Sequence, residues 1–245
     1  MAGARPRTTV RTAVVWEVLR EALAGFHGET LRVVDAGGGS GGFAVPLAEI
    51  GHDVTVVDPS PDSLAALDRR AAETDTAARI HAVQGDAAGL ADIVPAGSAD
   101  LVLCHSVLEF VDDPAAALAA VAQVLRPGGI ASILAANRVA AVVARVAAGR
   151  LGEARRLFDD DSGWAGDGDP LVRRFGVDEL HALVSAAGLS ARATHGVRVF
   201  ADVVPPALVD GDPDAARELL ALEHAAADRT EFLAVATQLH VLAER

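Results

Sequence analysis

A glycine-rich segment over residues 35–42, Asp-Ala-Gly-Gly-Gly-Ser-Gly-Gly, has the composition of a loop that brings its backbone close to a ligand. Glycine has no Cβ, so a bound molecule can contact the main chain directly at such positions. Gly37, Gly39 and Gly42 also fit the spacing G-x-G-x-x-G, which is typical of dinucleotide-binding folds. By itself, this spacing is compatible with an NAD-dependent oxidoreductase or with a nucleotide-binding sensor.

Acidic residues at the ends of predicted strands distinguish between possible ligands. Asp35 stands directly before the glycines, where an NAD fingerprint needs no acid. Asp58 ends the second strand, where a carboxylate can accept hydrogen bonds from both ribose hydroxyls. Asp86 follows Gly85 at the end of the third strand, where it could accept from the exocyclic amine of an adenine. Carboxylates around the loop favour a cationic ligand over a pyrophosphate, which binds to bare amides at a helix N-terminus.

These residues must be positioned by short apolar strands that alternate with helices. The predicted strands are residues 31–35, 54–58, 80–86, 100–106 and 130–136, with two further β-like runs around Gly196 and near the C-terminus. Such alternation predicts a doubly wound, mostly parallel, seven-stranded Rossmann-like sheet with helices on both faces. Ligands of these α/β sheets bind at the carboxyl ends of the strands, where the glycines and acids stand.

The remaining segments predict additions to this sheet within a single domain over residues 1–245. Residues 1–28 are predicted to form an N-terminal helix, and residues 138–176 a cap inserted after the fifth strand. The cap begins with a helical stretch that carries five arginines and one acid, Glu153, and continues into a loop rich in glycine and aspartate. Helices are also predicted over 176–188 and 214–229.

Composition restricts the function further. The chain has 245 residues, of which 51% are hydrophobic and 22% charged, so it is not a disordered protein. The net charge of −13 argues against a protein that covers a nucleic acid with cations. A single cysteine, Cys104, allows no intramolecular disulfide and favours a reducing, cytoplasmic location. We predict no membrane span, no signal peptide and no metal site, because the required apolar runs and ligand spacings are absent from the sequence.

The motifs together resemble those of the class I S-adenosylmethionine-dependent methyltransferases. The resemblance is carried by Asp35-x-Gly37-x-Gly39, Asp58, Gly85-Asp86 and the Leu-Arg-Pro-Gly-Gly run over 125–129. Over nearly the whole chain, the sequence is also similar to the bacterial tRNA 5-carboxymethoxyuridine methyltransferase family, which makes a methyl ester of a carboxyl group on a modified wobble uridine. The segments that carry this similarity are VRTAVVWEVL, VVDAGGGSGG, CHSVLEFVDDP, VLRPGG, HGVRVFADVVP, LLALE and HVLAER.

The resemblance implies a cofactor and a set of residues that line it. The cofactor is S-adenosylmethionine, and the implied positions are Arg11, Gly37, Gly38, Asp58, the turn over 84–86 and His105. Arg11 is interpreted as a fork for the methionine carboxylate of the cofactor, with a solvated helix arginine as the alternative. The chain departs from the family in the cap, where EARRLFDDDSGW replaces a lysine-rich stretch.

The methyl acceptor is the less defined part of the prediction. His105 and Arg198 are the predicted catalytic residues: His105 would contact the cofactor, orient the acceptor or act as a base, and Arg198 would pair with an anionic acceptor. The alternative for Arg198 is an ion pair across an edge hairpin. Glu109 is a further candidate for acceptor contact, with helix capping as its alternative. A carboxylate acceptor is already anionic and needs no base, whereas a hydroxyl or amine does.

Two kinds of acceptor fit these residues. The arginine-rich stretch of the cap favours a tRNA, whereas the net charge of −13 and the acidic loop favour a small carboxylate-bearing molecule. A small-molecule O- or N-methyltransferase is the corresponding alternative function.

Overall fold

The structure is a computed structural model that describes residues 6–26 and 28–245, with side chains from Val10 onward apart from residue 27. The predicted N-terminal helix is helical from Pro6 to Ala24, and its residues 1–5 and 27 lie outside the described part. The strands are β1 (Arg32–Ala36), β2 (Asp53–Asp58), β3 (Ile80–Gln84), β4 (Ala99–His105), β5 (Leu125–Ala136), β6 (Ser190–Val197) and β7 (Gln238–Glu244). The helices are α1 (Pro6–Ala24), α2 (Ala44–Glu49), α3 (Pro61–Glu73), α4 (Leu90–Ile93), α5 (Pro114–Val124), α6 (Arg138–Ala147), α7 (Leu151–Asp159), α8 (Val177–Ala186), α9 (Pro206–Gly211), α10 (Pro213–Ala227) and α11 (Thr230–Leu233).

The seven strands form one sheet in the order β3-β2-β1-β4-β5-β7-β6. β1 pairs in parallel with β2 and with β4, β2 pairs in parallel with β3, and β4 pairs in parallel with β5. The predicted mostly parallel seven-stranded α/β sheet is therefore confirmed. The order reverses beside β1, so that the chain leaves β1 and β4 toward opposite edges of the sheet, and a crevice for ligands opens at such a point.

The central strands and the starts of their helices follow from local sequence. In β4 every residue from Ala99 to Cys104 is buried, which accounts for the apolar run LVLC that ends at Cys104. α3 begins after Ser60, whose hydroxyl accepts from the Ser63 amide, and has proline at its first position. α5 begins in the same way after Asp113, whose carboxylate accepts from two amides.

Two predicted boundaries were wrong. The fifth strand begins at Leu125 and not at residue 130, because Leu125 already pairs with Ala99 and an irregularity follows in the ladder before Leu101. The arginine-rich stretch of the cap forms two helices, α6 and α7, and not one. They are separated by Gly149, whose φ of +72° is incompatible with a continuous right-handed helix.

The chain divides into two compact units. One comprises residues 29–134, 180–193 and 241–245, and holds the glycine loop with β1 to β4. The other comprises residues 1–28, 135–179 and 194–240, and holds α1, the cap helices and α9 to α11. The predicted single-domain organisation stays a prediction. No helix of the described residues has the length and apolar character that a membrane span requires.

Candidate active site

The first two glycines of the loop are packed against protein atoms. Gly37 has φ +73°, donates its amide to the Val57 carbonyl over 2.7 Å, and would place a Cβ 2.3 Å from a methyl of Val107. A Cβ on Gly38 would lie 2.5 Å from the carboxylate of Asp35. Any side chain at these two positions therefore collides with the strands and loop that surround them.

The third glycine of the loop faces open space. Gly39 has φ +56°, and the nearest atom to a Cβ built on it is Oδ2 of Asp58 at 3.9 Å. Its amide donates to the same Oδ2 over 2.9 Å. This glycine therefore offers bare backbone next to a carboxylate, which is the arrangement expected where a ligand approaches.

Asp58 connects the loop to the start of α3. Its Oδ1 accepts from the Ser60 amide over 2.9 Å while Oδ2 accepts from Gly39, and the residue is 8% exposed. Each carboxylate oxygen can accept a second hydrogen bond, so the side chain keeps capacity for ribose hydroxyls.

Asp35 lies beneath the loop and is only 3% exposed. Burial, with a smaller contribution from the negative charge of Asp58, raises the pKa of Asp35 to about 7. This carboxyl group therefore exchanges its proton near neutral pH, and a cation bound nearby would favour its charged form.

Asp86 and Gly85 form the turn after β3. Asp86 Oδ1 accepts from the Gly89 amide over 2.7 Å. A Cβ on Gly85 would lie 2.4 Å from the Cδ1 of Ile93, so the end of that side chain on α4 would have to shift.

A cavity of about 480 Å³ lies at these carboxyl ends, within residues 37–113. It is lined by Gly37, Asp58, Pro59, Asp86, Ala87, Ala88, Ser106, Val107, Phe110, Val111, Asp112 and Asp113. Three of the predicted site residues are among them. The segment over 106–113 supplies the other half of the lining and includes Phe110, which is 56% exposed. In the sequence this segment is part of CHSVLEFVDDP, where Glu109 was a candidate for acceptor contact and Phe110 had no predicted role.

His105 lies at the end of β4, immediately before this segment. Its Nε2 is 2.8 Å from the hydroxyl of Ser132, and the ring of Phe43 packs edge-on against it with centroids 4.7 Å apart. Burial lowers the pKa of His105 to about 3, so the ring is neutral at physiological pH and is a weak base. The next residue, Ser106, has φ +55° and donates its amide to the Leu134 carbonyl over 2.7 Å.

The predicted residues Arg11 and Arg198 belong to the other unit, where they share one carboxylate. Arg11 Nη2 lies 2.6 Å from Oδ1 of Asp202, and Arg198 Nη2 pairs with Oδ2 of the same side chain. We call these three residues the arginine–aspartate cluster. Arg198 also donates to Gln238 over 3.4 Å and has φ +60°, a left-handed conformation that is uncommon for a residue with a side chain. Nothing in the sequence pattern had indicated Asp202.

The arginines of the cap are balanced by nearby acids. The ion pairs are Arg138–Glu179 (3.8 Å), Arg145–Glu153 (3.0 Å), Arg145–Asp169 (3.8 Å), Arg150–Glu153 (3.5 Å) and Arg155–Asp159, and Arg156 donates to the Ala165 carbonyl. The prediction counted only Glu153 against the five arginines. Three further acids come from later in the chain, and one of them, Asp169, makes its closest ion pair with Arg174 (2.6 Å). The cap therefore presents less free positive charge than its sequence indicated.

Other candidates have simpler roles. Burial raises the pKa of the Cys104 thiol to about 12, which makes it an unreactive strand residue. Glu109 is 1% exposed and lies in the turn between β4 and α5. Within residues 6–26 and 28–245, no group of three or more His, Cys, Asp or Glu side chains could hold a metal ion.

A Rossmann-like sheet with a glycine loop and two carboxylates at a cavity defines a protein that binds an adenosyl cofactor. Residues 34–133 match the methyltransferase domain family. The chain is 31% identical to the tRNA 5-carboxymethoxyuridine methyltransferase of Escherichia coli over 248 aligned positions, which cover 96% of this chain and 88% of that protein. The chain therefore belongs to the class I S-adenosylmethionine-dependent methyltransferases.

A second relative agrees with this assignment, and a solved structure shares the fold. The chain is 34% identical to a ubiquinone biosynthesis O-methyltransferase of Methylocella silvestris over 175 positions, 69% of this chain and 62% of that protein. Magnesium protoporphyrin IX methyltransferase from Synechocystis, solved with bound S-adenosylhomocysteine, has the same fold with a TM-score of 0.62 at 16% identity, covering 98% of this chain and 83% of that chain. The cofactor is accordingly S-adenosylmethionine, and the oxidoreductase and sensor alternatives are set aside.

Proposed function

We propose that this enzyme transfers the methyl group of S-adenosylmethionine to the carboxylate of a 5-carboxymethoxyuridine in tRNA, giving a methyl ester. The observation that carries the proposal is the 31% identity to a tRNA 5-carboxymethoxyuridine methyltransferase over 96% of the chain. The arginine–aspartate cluster supports it, because it holds two guanidinium groups against a carboxylate.

The residues of the glycine loop and its neighbours fit the cofactor. Gly39 leaves open space beside its backbone, and Asp58 faces the cavity with hydrogen-bonding capacity for ribose hydroxyls. The residues that would hold the cofactor are Asp35, Gly37, Gly38, Gly39, Asp58, Gly85, Asp86 and His105, with Arg11 as the partner of the methionine carboxylate. When bound, the cofactor supplies a methyl group that its sulfonium makes electrophilic.

The protein's contribution to the reaction is mainly position. An acceptor carboxylate has its own nucleophilic oxygen and no proton to lose, which agrees with the low pKa of His105 and its poor basicity. His105 would act as a neutral group that fixes the wall formed by residues 106–113. Holding two reactants in the productive orientation can lower a barrier by roughly 7–11 kcal/mol.

Arg198 would hold the acceptor carboxylate. A guanidinium binds a carboxylate through two parallel hydrogen bonds, which fixes its orientation as well as its charge. Within the arginine–aspartate cluster, the guanidinium groups of Arg11 and Arg198 lie against the single carboxylate of Asp202.

A small carboxylic acid is the second candidate acceptor. The specific observation in its favour is that Glu153, Asp159, Asp169 and Glu179 already pair with the arginines of the cap. The net charge of −13 also opposes the approach of a polyanion.

An acceptor assay with labelled S-adenosylmethionine tests the proposal. The enzyme is given tRNA that contains 5-carboxymethoxyuridine, the same tRNA without this modification, and a panel of small carboxylic acids. We expect label only in the modified tRNA, released by mild alkali as expected for an ester. Label in a small acid and in neither tRNA would replace the proposed acceptor by the second candidate.

A further inference from the structure

Glu223, on α10, is a fully buried carboxylate with an unusual set of partners. Its exposed fraction is 0%, and its two oxygens accept from three consecutive backbone amides. Oε2 accepts from Val199 over 3.0 Å, and Oε1 accepts from Phe200 over 2.8 Å and from Ala201 over 2.7 Å. Burying an ionised carboxylate is costly unless hydrogen bonds satisfy it, so this arrangement strongly fixes the backbone of residues 199–201.

The fixed segment lies between two members of the arginine–aspartate cluster. Arg198 precedes it in the left-handed conformation, and Asp202 follows it directly. A left-handed backbone at a residue with a side chain is strained and persists only where surrounding contacts impose it. The three hydrogen bonds to Glu223 are contacts of that kind, because they determine the direction in which the turn leaves Arg198.

Apolar packing connects the same turn to the helix of Arg11. Val10 is buried in one cluster with Ala201 and with Leu219, which lies one turn before Glu223 on α10. On the other side of the turn, Val199 packs with Ala226 and Ala236. The turn is therefore held between α1 and α10, with the carboxylate of Glu223 as its polar anchor.

We propose that Glu223 is a positioning residue that sets Arg198 and Asp202 in place for the acceptor carboxylate. The inference rests on the proposed function, since Arg198 is there the partner of the acceptor. Two of the segments that resemble the family lie outside the cofactor site. HGVRVFADVVP contains the turn and LLALE ends at Glu223, so the proposal gives both segments a role.

Two substitutions separate the position of Glu223 from its charge. Glu223→Gln turns one acceptor into an NH₂ group that faces a backbone N–H, and Glu223→Asp keeps the charge but is one methylene too short to reach the turn. We expect both to raise the KM for the acceptor about tenfold with little change in kcat, as for an interaction that contributes equally to ground-state and transition-state binding. Val184→Ala, a buried change on α8, is the control for loss of stability and should leave that KM unchanged.

A double-mutant cycle tests whether Glu223 acts through Arg198. If it does, Glu223→Gln adds nothing to the acceptor KM of Arg198→Ala, because residues that act as a unit are not additive. Full additivity of the two effects would overturn the proposal. So would an acceptor KM in Glu223→Gln equal to that of the wild type.

Amide hydrogen exchange provides a readout that does not depend on the substrate. In Glu223→Gln we expect the amides of residues 199–201 to exchange at least about tenfold faster, while those of β4 stay protected. Unchanged exchange at 199–201 would overturn the positioning role even if tRNA is methylated. Faster exchange in an enzyme whose wild type leaves every tRNA unmethylated would support the positioning role and refute the proposed acceptor.

Discussion

The carboxylate of Asp58 holds the glycine loop against the start of α3 and is also predicted to bind the cofactor. Its oxygens accept from the amides of Gly39 and Ser60 and face the cavity. We expect Asp58→Ala to weaken S-adenosylhomocysteine binding by about 2–3 kcal/mol, the range for hydrogen bonds to a charged group. Isothermal titration measures this. Asp53→Ala, at the opposite, exposed end of β2, is the matched control, and equal affinity in the two variants would remove Asp58 from the site.

Asp35 should make stability depend on pH. Its pKa in the folded protein is raised to about 7 from the ordinary 3.8, so the folded state binds this proton more tightly than the unfolded state does. This stabilising contribution is present below about pH 4 and is lost as the pH rises through about 7. The complete loss is on the order of 4 kcal/mol, as an upper limit.

The comparison with Asp35→Asn isolates that contribution. We expect the free energy of unfolding in urea to fall from about pH 5 to about pH 8 in the wild type, and to fall less in the variant. Parallel pH profiles for the two proteins would show that Asp35 ionises as freely in the fold as in the unfolded chain.

At the scale of elements, a glycine in the loop should tolerate substitution less well than a glycine after α2. Gly39→Val places a branched side chain in the open space beside Asp58, so we expect loss of cofactor binding and of activity. Gly51 also has positive φ, +103°, with no atom within 4 Å of a built Cβ. Gly51→Ala should therefore cost about 1 kcal/mol of stability and leave cofactor affinity intact. Equal losses of affinity would mean that the loop does not approach a ligand.

Elements that depend on residues close together in the chain can be predicted from sequence. The starts of α3 and α5 are predictable from sequence, because the side chains in Ser60-Pro61 and Asp113-Pro114 act on amides two or three residues away. The glycine loop and Asp58 were predicted because strand, loop and helix follow each other in the chain. The start of β5 was missed because it depends on pairing between Leu125 and Ala99.

Features built from distant segments were missed for the same physical reason. Asp202 meets Arg11 across 191 positions, and Glu223 meets the turn after Arg198 across more than 20. No local periodicity or motif connects such residues. Their partners become visible only when the fold brings the segments together, whereas the identity of the cofactor was carried by local motifs.

For the whole molecule, the balance of positive and negative side chains determines how strongly a polyanion such as tRNA is bound. Arg150 and Arg155 are exposed but paired with Glu153 and Asp159. An arginine that binds a single-stranded phosphate contributes about 0.7 to the log–log slope of affinity against salt. Because these two are already neutralised, we expect Arg150→Gln with Arg155→Gln to change the slope by less than about 1.4, the value for two phosphate contacts.

Filter binding of tRNA over a range of salt concentrations measures this slope. Arg217→Gln is the control, since Arg217 is exposed on α10 and paired with Asp214 in the same manner. A change near the full value for the cap arginines, with none for Arg217, would show that phosphates displace the acids and that the cap binds the tRNA backbone.

The most direct test of the central claim is mass spectrometry of the nucleosides from tRNA treated with the enzyme and S-adenosylmethionine. The account predicts that 5-carboxymethoxyuridine is converted to a nucleoside heavier by one methylene group, and that mild alkali restores the original mass because the product is a methyl ester. Asp58→Ala should strongly reduce the conversion at limiting cofactor, in line with its weaker cofactor binding. A methylated nucleoside whose mass survives alkali, or unchanged 5-carboxymethoxyuridine at saturating enzyme, would contradict carboxylate methylation of this tRNA.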